Sequence, residues 1–266
     1  MYDKVFLNPG ILFIALLGGI LPATFWLWFW LKEDKLHPEP RGLLILSFLV
    51  GMLAALLAFP PEKWVKDFVA PGGVICKLMN ADCATLLLFW AIIEEVIKII
   101  GIYLVALRTK YFDEPIDAVI YLITIALGFA ALENTLFLFN PLGNGDVGAT
   151  ITLGEFRFIG ATLLHVATSG MVGVALALTF YQKRSKRVAG ALLALCGAIM
   201  LHTLFNFSII ISSLSKEGFL YEIFIGLWIF IIGILLICEK IKRMAPRSHV
   251  LYAHTGIVSG ISSKII

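Results

Sequence analysis

Glu94-Glu95-Val96-Ile97-Lys98 sets two adjacent carboxylates and an ammonium inside an apolar run, roughly residues 83–107, long enough to cross a bilayer. A charge at mid-membrane costs about 2.5–3.5 kcal/mol on insertion scales, so ionisable groups there point to function. Three other apolar runs each carry one such group: Glu133, His165 and His202. At 1.5 Å of rise per residue, Glu94, Glu133, His165 and His202 fall about 10–17 Å below the same end of their spans. They could converge in one buried site. Helical spacing adds partners, because residues four apart are surface neighbours. Lys98 shares a face with Glu94, Ser169 with His165, and Asn206 with His202.

Hydrolysis of a peptide inside a membrane needs a water, a base to activate it and a stabiliser for the oxyanion. Glu94 is expected as the base, with Glu95 as a second carboxylate or helix-packing partner. Two histidines and a carboxylate can hold Zn²⁺ with one position left for water. On that scheme the ligands are Glu133, His165 and His202. Without a metal, a Glu–His pair can activate the water while His202 and Asn206 donate to the oxyanion. No H-E-x-x-H zinc signature is present, so both schemes stay open. Plainer roles compete. Lys98 reads as the counter-ion of Glu94, because an unpaired buried charge is expensive. Asn134 reads as a helix–helix hydrogen-bonder. Arg157, Asp117 and Glu222 fall near span ends and read as solvated, and Phe and Trp read as lipid-facing or interfacial.

Positioning these residues requires a membrane bundle. The 266 residues are 60% hydrophobic and only 15% charged, with mean hydropathy +0.94, which excludes an ordinary soluble domain. Continuous apolar runs exclude the alternation of a β-barrel. The fold class is all-α: a polytopic transmembrane bundle of about seven spans, near 11–31, 42–60, 83–107, 115–140, 156–182, 188–211 and 220–239. The first run reads as a retained span. Lys183-Arg184-Ser185-Lys186-Arg187 and the basic stretch after the last span read as cytoplasmic. That alternation puts 14 of the 21 Lys and Arg inside, hence N-terminus out and C-terminus in. Residues 1–243 form the transmembrane domain, and 244–266 a weakly ordered cytoplasmic tail. Residues 61–69 suggest a short interfacial helix, ended by Pro71-Gly72-Gly73, and 141–155 a flexible polar loop. His37 reads as a surface residue. The four cysteines lack metal spacing, and Cys76 with Cys83 could pair if their loop is extracytoplasmic.

The motifs Glu94-Glu95-x-x-Lys98, Gly128-Phe129-Ala130-Ala131-Leu132-Glu133-Asn134, His165-x-x-x-Ser169 and His202-x-x-x-Asn206 resemble, in order, those of PrsW intramembrane proteases. Asp34 to Arg41 resembles that family's loop after the first span. The resemblance covers spans one to six. It implies a bacterial multi-pass cell-membrane protease, related to CAAX prenyl proteases and bacteriocin-processing enzymes. The implied partner is a single-span, membrane-anchored anti-sigma factor. The relatives carry Phe-x-x-x-His where this chain has Phe129-x-x-x-Glu133. The superfamily has been described both as metalloproteases and as glutamate proteases. A proton-coupled transporter or channel is the other reading of a buried Glu/His chain, although the runs show no inverted repeat. An inactive scaffold that binds single-span partners is a third.

Overall fold

A computed structural model describes residues 8–33, 38–69, 81–214 and 220–244. His37, Cys76, the Pro71-Gly72-Gly73 turn and the tail beyond 244 lie outside the described residues. Long helices dominate: α1 (Pro9–Trp30), α2 (Arg41–Val69), α3 (Ala81–Val105), α4 (Pro115–Gly143), α5 (Val147–Phe156), α6 (Thr162–Leu178), α7 (Arg184–Leu214) and α8 (Leu220–Lys242). A 3₁₀ turn, Leu31–Glu33, follows α1, and a π-helical turn, Arg157–Ala161, joins α5 to α6. Among the described residues, six helical segments are long and apolar enough to cross a membrane, one of them running from Val147 through the π turn to Leu178. The seventh long helix, α3, has 25 residues and carries Glu94, Glu95 and Lys98. The bundle matches the expected class.

Helix α4 is the axis, buried without a break from Pro115 to Ala131, and it packs most extensively against α1, α2 and α6. Glycine makes each of these approaches close. A Cβ on Gly19 of α1 would lie 2.3 Å from the Ala131 carbonyl oxygen. One on Gly51 of α2 would lie 2.1 Å from that of Ile125, and one on Gly173 of α6 2.8 Å from Val119 Cα. Gly128 of α4 meets Phe48 O of α2 in the same way, at 2.0 Å. In lipid no hydrophobic drive pulls helices together, so dispersion across such close contacts supplies the attraction.

The end of the bundle where α4 begins is tied by polar contacts. Asp117 Oδ2 accepts from the backbone N–H groups of Asp113 and Glu114 at 3.0 and 2.6 Å, closing the start of α4. The Asp117 and Glu39 carboxyls hydrogen-bond to each other, and Tyr121 O–H donates to Glu39 Oε2. Asp117 is therefore buried, not solvated. Burial holds the Glu39 carboxyl above its ordinary range. Lys242 reaches Glu33 at 2.6 Å and joins α8 to the turn after α1.

Other expectations need correction. Residues 61–69 are no separate interfacial helix: α2 continues through Pro60 and Pro61. Its end is fixed by Trp90 Nε1–H donating to the Glu62 carbonyl at 3.1 Å. Residues 141–155 are no loose loop. Helix α4 runs to Gly143, Gly145 turns the chain at φ 71°, and the Asp146 side chain caps α5 through the Ala149 N–H at 2.9 Å. Trp26 and Trp30 are buried, whereas Glu222 is exposed as expected. Cys83 is disulfide-bonded, and Cys196 and Cys238 are free thiols, the former exposed.

Two outcomes test this architecture. Gly51→Ala should destabilise by about 1–3 kcal/mol, as overpacking does. Gly42→Ala, where a Cβ meets nothing within 4 Å, should not; thermal unfolding in detergent compares them. For Glu39, the folded chain binds the proton more tightly than the unfolded chain, so stability falls as pH rises above the ordinary value of 4.5. Glu39→Gln should flatten that slope, and an unchanged slope removes Glu39 from it.

Candidate active site

Helices α3, α4, α6 and α7 bring Glu94, Glu95, Lys98, Glu133, Asn134, His165 and His202 into one polar centre surrounded by apolar packing. Six of the seven are under 9% exposed; Glu133 is the more open one, its side chain 20% exposed. Glu95 Oε1 is the hub. It accepts from Lys98 Nζ at 2.7 Å, His202 Nδ1–H at 2.8 Å and Thr168 Oγ1–H at 3.1 Å, which joins α3, α6 and α7. Lys98 thus pairs with Glu95, three residues back, and not with Glu94 as expected. Its ammonium also lies 2.9 Å from His165 Nδ1 and 4.8 Å above the Phe129 ring.

The donor inventory fixes both histidine tautomers. A carboxylate only accepts, so His202 Nδ1 carries the proton and its Nε2 keeps a lone pair. An ammonium only donates, so His165 Nδ1 accepts and its Nε2–H donates to Glu133 Oε2, 3.0 Å away. Each histidine is therefore oriented by its own carboxylate, Glu95 for His202 and Glu133 for His165. This is the outer-shell arrangement that turns a metal-binding imidazole and raises its basicity.

Glu94 stands apart. Its Oε2 is buried with no hydrogen-bond partner, 3.8 Å from His202 Nε2. With the ring neutral, the Nε2 lone pair faces that oxygen, and a shared proton or a metal ion would bridge the two. One ligand atom from each of Glu94, His165 and His202 lies within 4.8 Å of the other two. One carboxylate and two imidazoles suit Zn²⁺ with a place left for water. The three residues whose ligand atoms converge are thus Glu94, His165 and His202, whereas the expected set has Glu133 in place of Glu94. Glu133 is already engaged by His165 and by Arg157.

Sequence reasoning missed Arg157. Its Nη2 donates to Glu133 Oε2 at 2.6 Å and its Nε to Asn134 Oδ1 at 2.5 Å. Asn134 Nδ2 in turn donates to Thr162 Oγ1 at 2.9 Å, a helix–helix bond as expected. Arg157 and His165 are eight residues apart, about 80° out of phase on an ideal α-helix. The π turn at Arg157–Ala161, where the Thr162 N–H bonds back five residues to Arg157 O, absorbs one residue. The spacing then acts as seven, about 20° from alignment. No periodicity in the sequence signals that insertion. Ser169 Oγ is buried without a partner. Asn206 makes no side-chain hydrogen bond among the described residues and is partly exposed.

A buried Glu–His–His set within a transmembrane helical bundle, with outer carboxylates on both histidines, defines the class of intramembrane metallopeptidases. Residues 39–237 match the family described as "PrsW family intramembrane metalloprotease", and the chain belongs to that family. It is a multi-pass membrane protein. It is 31% identical over 134 residues to Protease PrsW of Geobacillus kaustophilus, half of this chain and 55% of that protein. It is 28% identical to Protease PrsW of Halalkalibacterium halodurans, over 73% of this chain and 83% of that protein. To Protease PrsW of Bacillus subtilis it is 26% identical, over 77% and 86%. No solved structure matches the chain. Membership favours the peptidase over the transporter or channel.

Arg157 should act through Glu133. Arg157→Gln is expected to lower metal affinity and peptide cleavage about 10- to 100-fold, the usual cost of losing an outer-shell partner. Arg157→Lys should recover part of that loss. Equal metal affinity in all three proteins would remove Arg157 from this role.

Proposed function

We propose that the chain cleaves a single-span, membrane-anchored protein near its extracytoplasmic side, with an anti-sigma factor as the substrate class. The observation that carries the chemistry is the unpartnered Glu94 carboxylate facing His202 Nε2. Glu94, His165 and His202 would hold the metal; bound there, Zn²⁺ acidifies a water and polarises the scissile carbonyl.

The chain's own residues do the rest. Glu95 and Glu133 hold the imidazoles in the required tautomers. Glu94, whose Oε2 has no donor among the described residues, takes a proton from the attacking water and passes it to the leaving amine. Its two oxygens let one face the histidines while the other does this. Asn206, one turn from His202, is free to donate its Nδ2–H to the developing oxyanion. Apolar side chains around the centre exclude bulk water, so the peptide meets only the water the site holds. The relatives' name as proteases, the order of the motifs and the depth of Glu94 from the Ala81 end of α3 support this reading.

The test is cleavage of a single-span anti-sigma factor reporter in reconstituted membranes. Glu94→Gln should lower the rate by about 10²–10⁴-fold, the usual contribution of a general base. Chelation should silence the wild type, and added Zn²⁺ should restore it. Unchanged cleavage by Glu94→Gln would sink the assignment of Glu94, and chelator-resistant cleavage the metal.

A further inference from the structure

The centre already contains a cation, and it lies against a ring nitrogen of His165. Lys98 Nζ lies 2.9 Å from His165 Nδ1. With Nε2–H committed to Glu133, that nitrogen holds the only lone pair of the ring. The same ammonium is 2.7 Å from Glu95 Oε1 and fully buried. It neutralises part of the charge of Glu94 and Glu95 and faces the Phe129 ring. Glu133 is anchored independently by Arg157, so His165 does not need Lys98 to keep its orientation.

We infer that Lys98 is a resident counter-cation that holds the metal-free centre together and competes with the metal for His165 Nδ1. This rests on the reading of Glu94, His165 and His202 as the metal set. Metal binding then requires the ammonium to leave Nδ1 while it keeps its ion pair with Glu95. Its flexible four-carbon stem and three rotatable donors permit that move, as a planar guanidinium would not. The same contact therefore has opposite effects in the two states. It stabilises the metal-free bundle, where Glu94, Glu95 and Glu133 would otherwise have, among the described residues, Arg157 as the one further cation at the centre. It weakens metal affinity, because a bond to His165 must first be broken. Linkage requires the two effects to be coupled.

The experiment measures two quantities on purified full-length protein in detergent: melting temperature without metal, and Co²⁺ affinity by visible absorption with Zn²⁺ competition. Lys98→Met, similar in length and uncharged, should melt lower than wild type without metal. It should bind metal about tenfold or more tightly, within the range by which outer partners tune such sites. Lys98→Arg, which keeps the charge and the ion pair, should not gain affinity. If Lys98→Met folds only when metal is supplied, the inference also holds. Metal affinity that is equal or weaker in Lys98→Met, or a variant that stays unfolded with metal, overturns it. The His202→Ala variant separates the two levels. Wild-type binding that survives His202→Ala overturns the metal centre, and the role of Lys98 with it. Binding lost in His202→Ala but unchanged in Lys98→Met overturns the role of Lys98 alone.

Discussion

The structure depends on one oxygen atom. Glu95 Oε1 accepts an ammonium from its own helix, a hydroxyl from α6 and an imidazole N–H from α7. In lipid an unsatisfied carboxylate is costly, and helices gain little from apolar contact with one another. Three donors on one buried acceptor therefore fix which helices meet and at what height. The same bonds decide what His202 can do, since Nδ1–H given to Glu95 leaves Nε2 directed at Glu94. Fold and chemistry are set here by the same hydrogen bonds.

The second constraint is the enclosure of α4. Helices α1, α2 and α6 reach it through glycines whose missing side chains admit a neighbouring backbone. A helix surrounded in this way has little face left for lipid, and that is where Glu133 and Asn134 are affordable. Their polar ends point toward Arg157 and Thr162 and not into hydrocarbon.

Much of this was legible in the sequence. Apolar runs gave the spans because a bilayer imposes a length on every helix. The polar residues of the centre stood out because each is expensive at its depth. Asn134 was read as an interhelical hydrogen-bonder, and it is one. What could not be read were the pairings. Glu94 and Glu95 are adjacent and alike in the sequence, and only the approach of α6 and α7 gives the donors to Glu95 and leaves Glu94 bare. Glu133 looked like a ligand because the arginine that engages it lies 24 residues away, near what looked like the end of a span. The continuation of α2 through Pro60 and Pro61 was hidden for a related reason. Paired prolines argue for a break, and tertiary packing overrode that local preference.

The π turn has a consequence for how this chain can change through descent. It holds one residue more than an α turn, and that residue alone keeps Arg157 in phase with His165. Point substitutions within Arg157–Ala161 leave the count intact. Loss of a single residue there would wind the segment back to an α-helix and swing everything before it by about 100°. Gaps at this place in the chain are therefore not equivalent to gaps in a surface loop. A homologue shorter by one residue must either place its guanidinium at another position or leave its acidic partner on α4 without one.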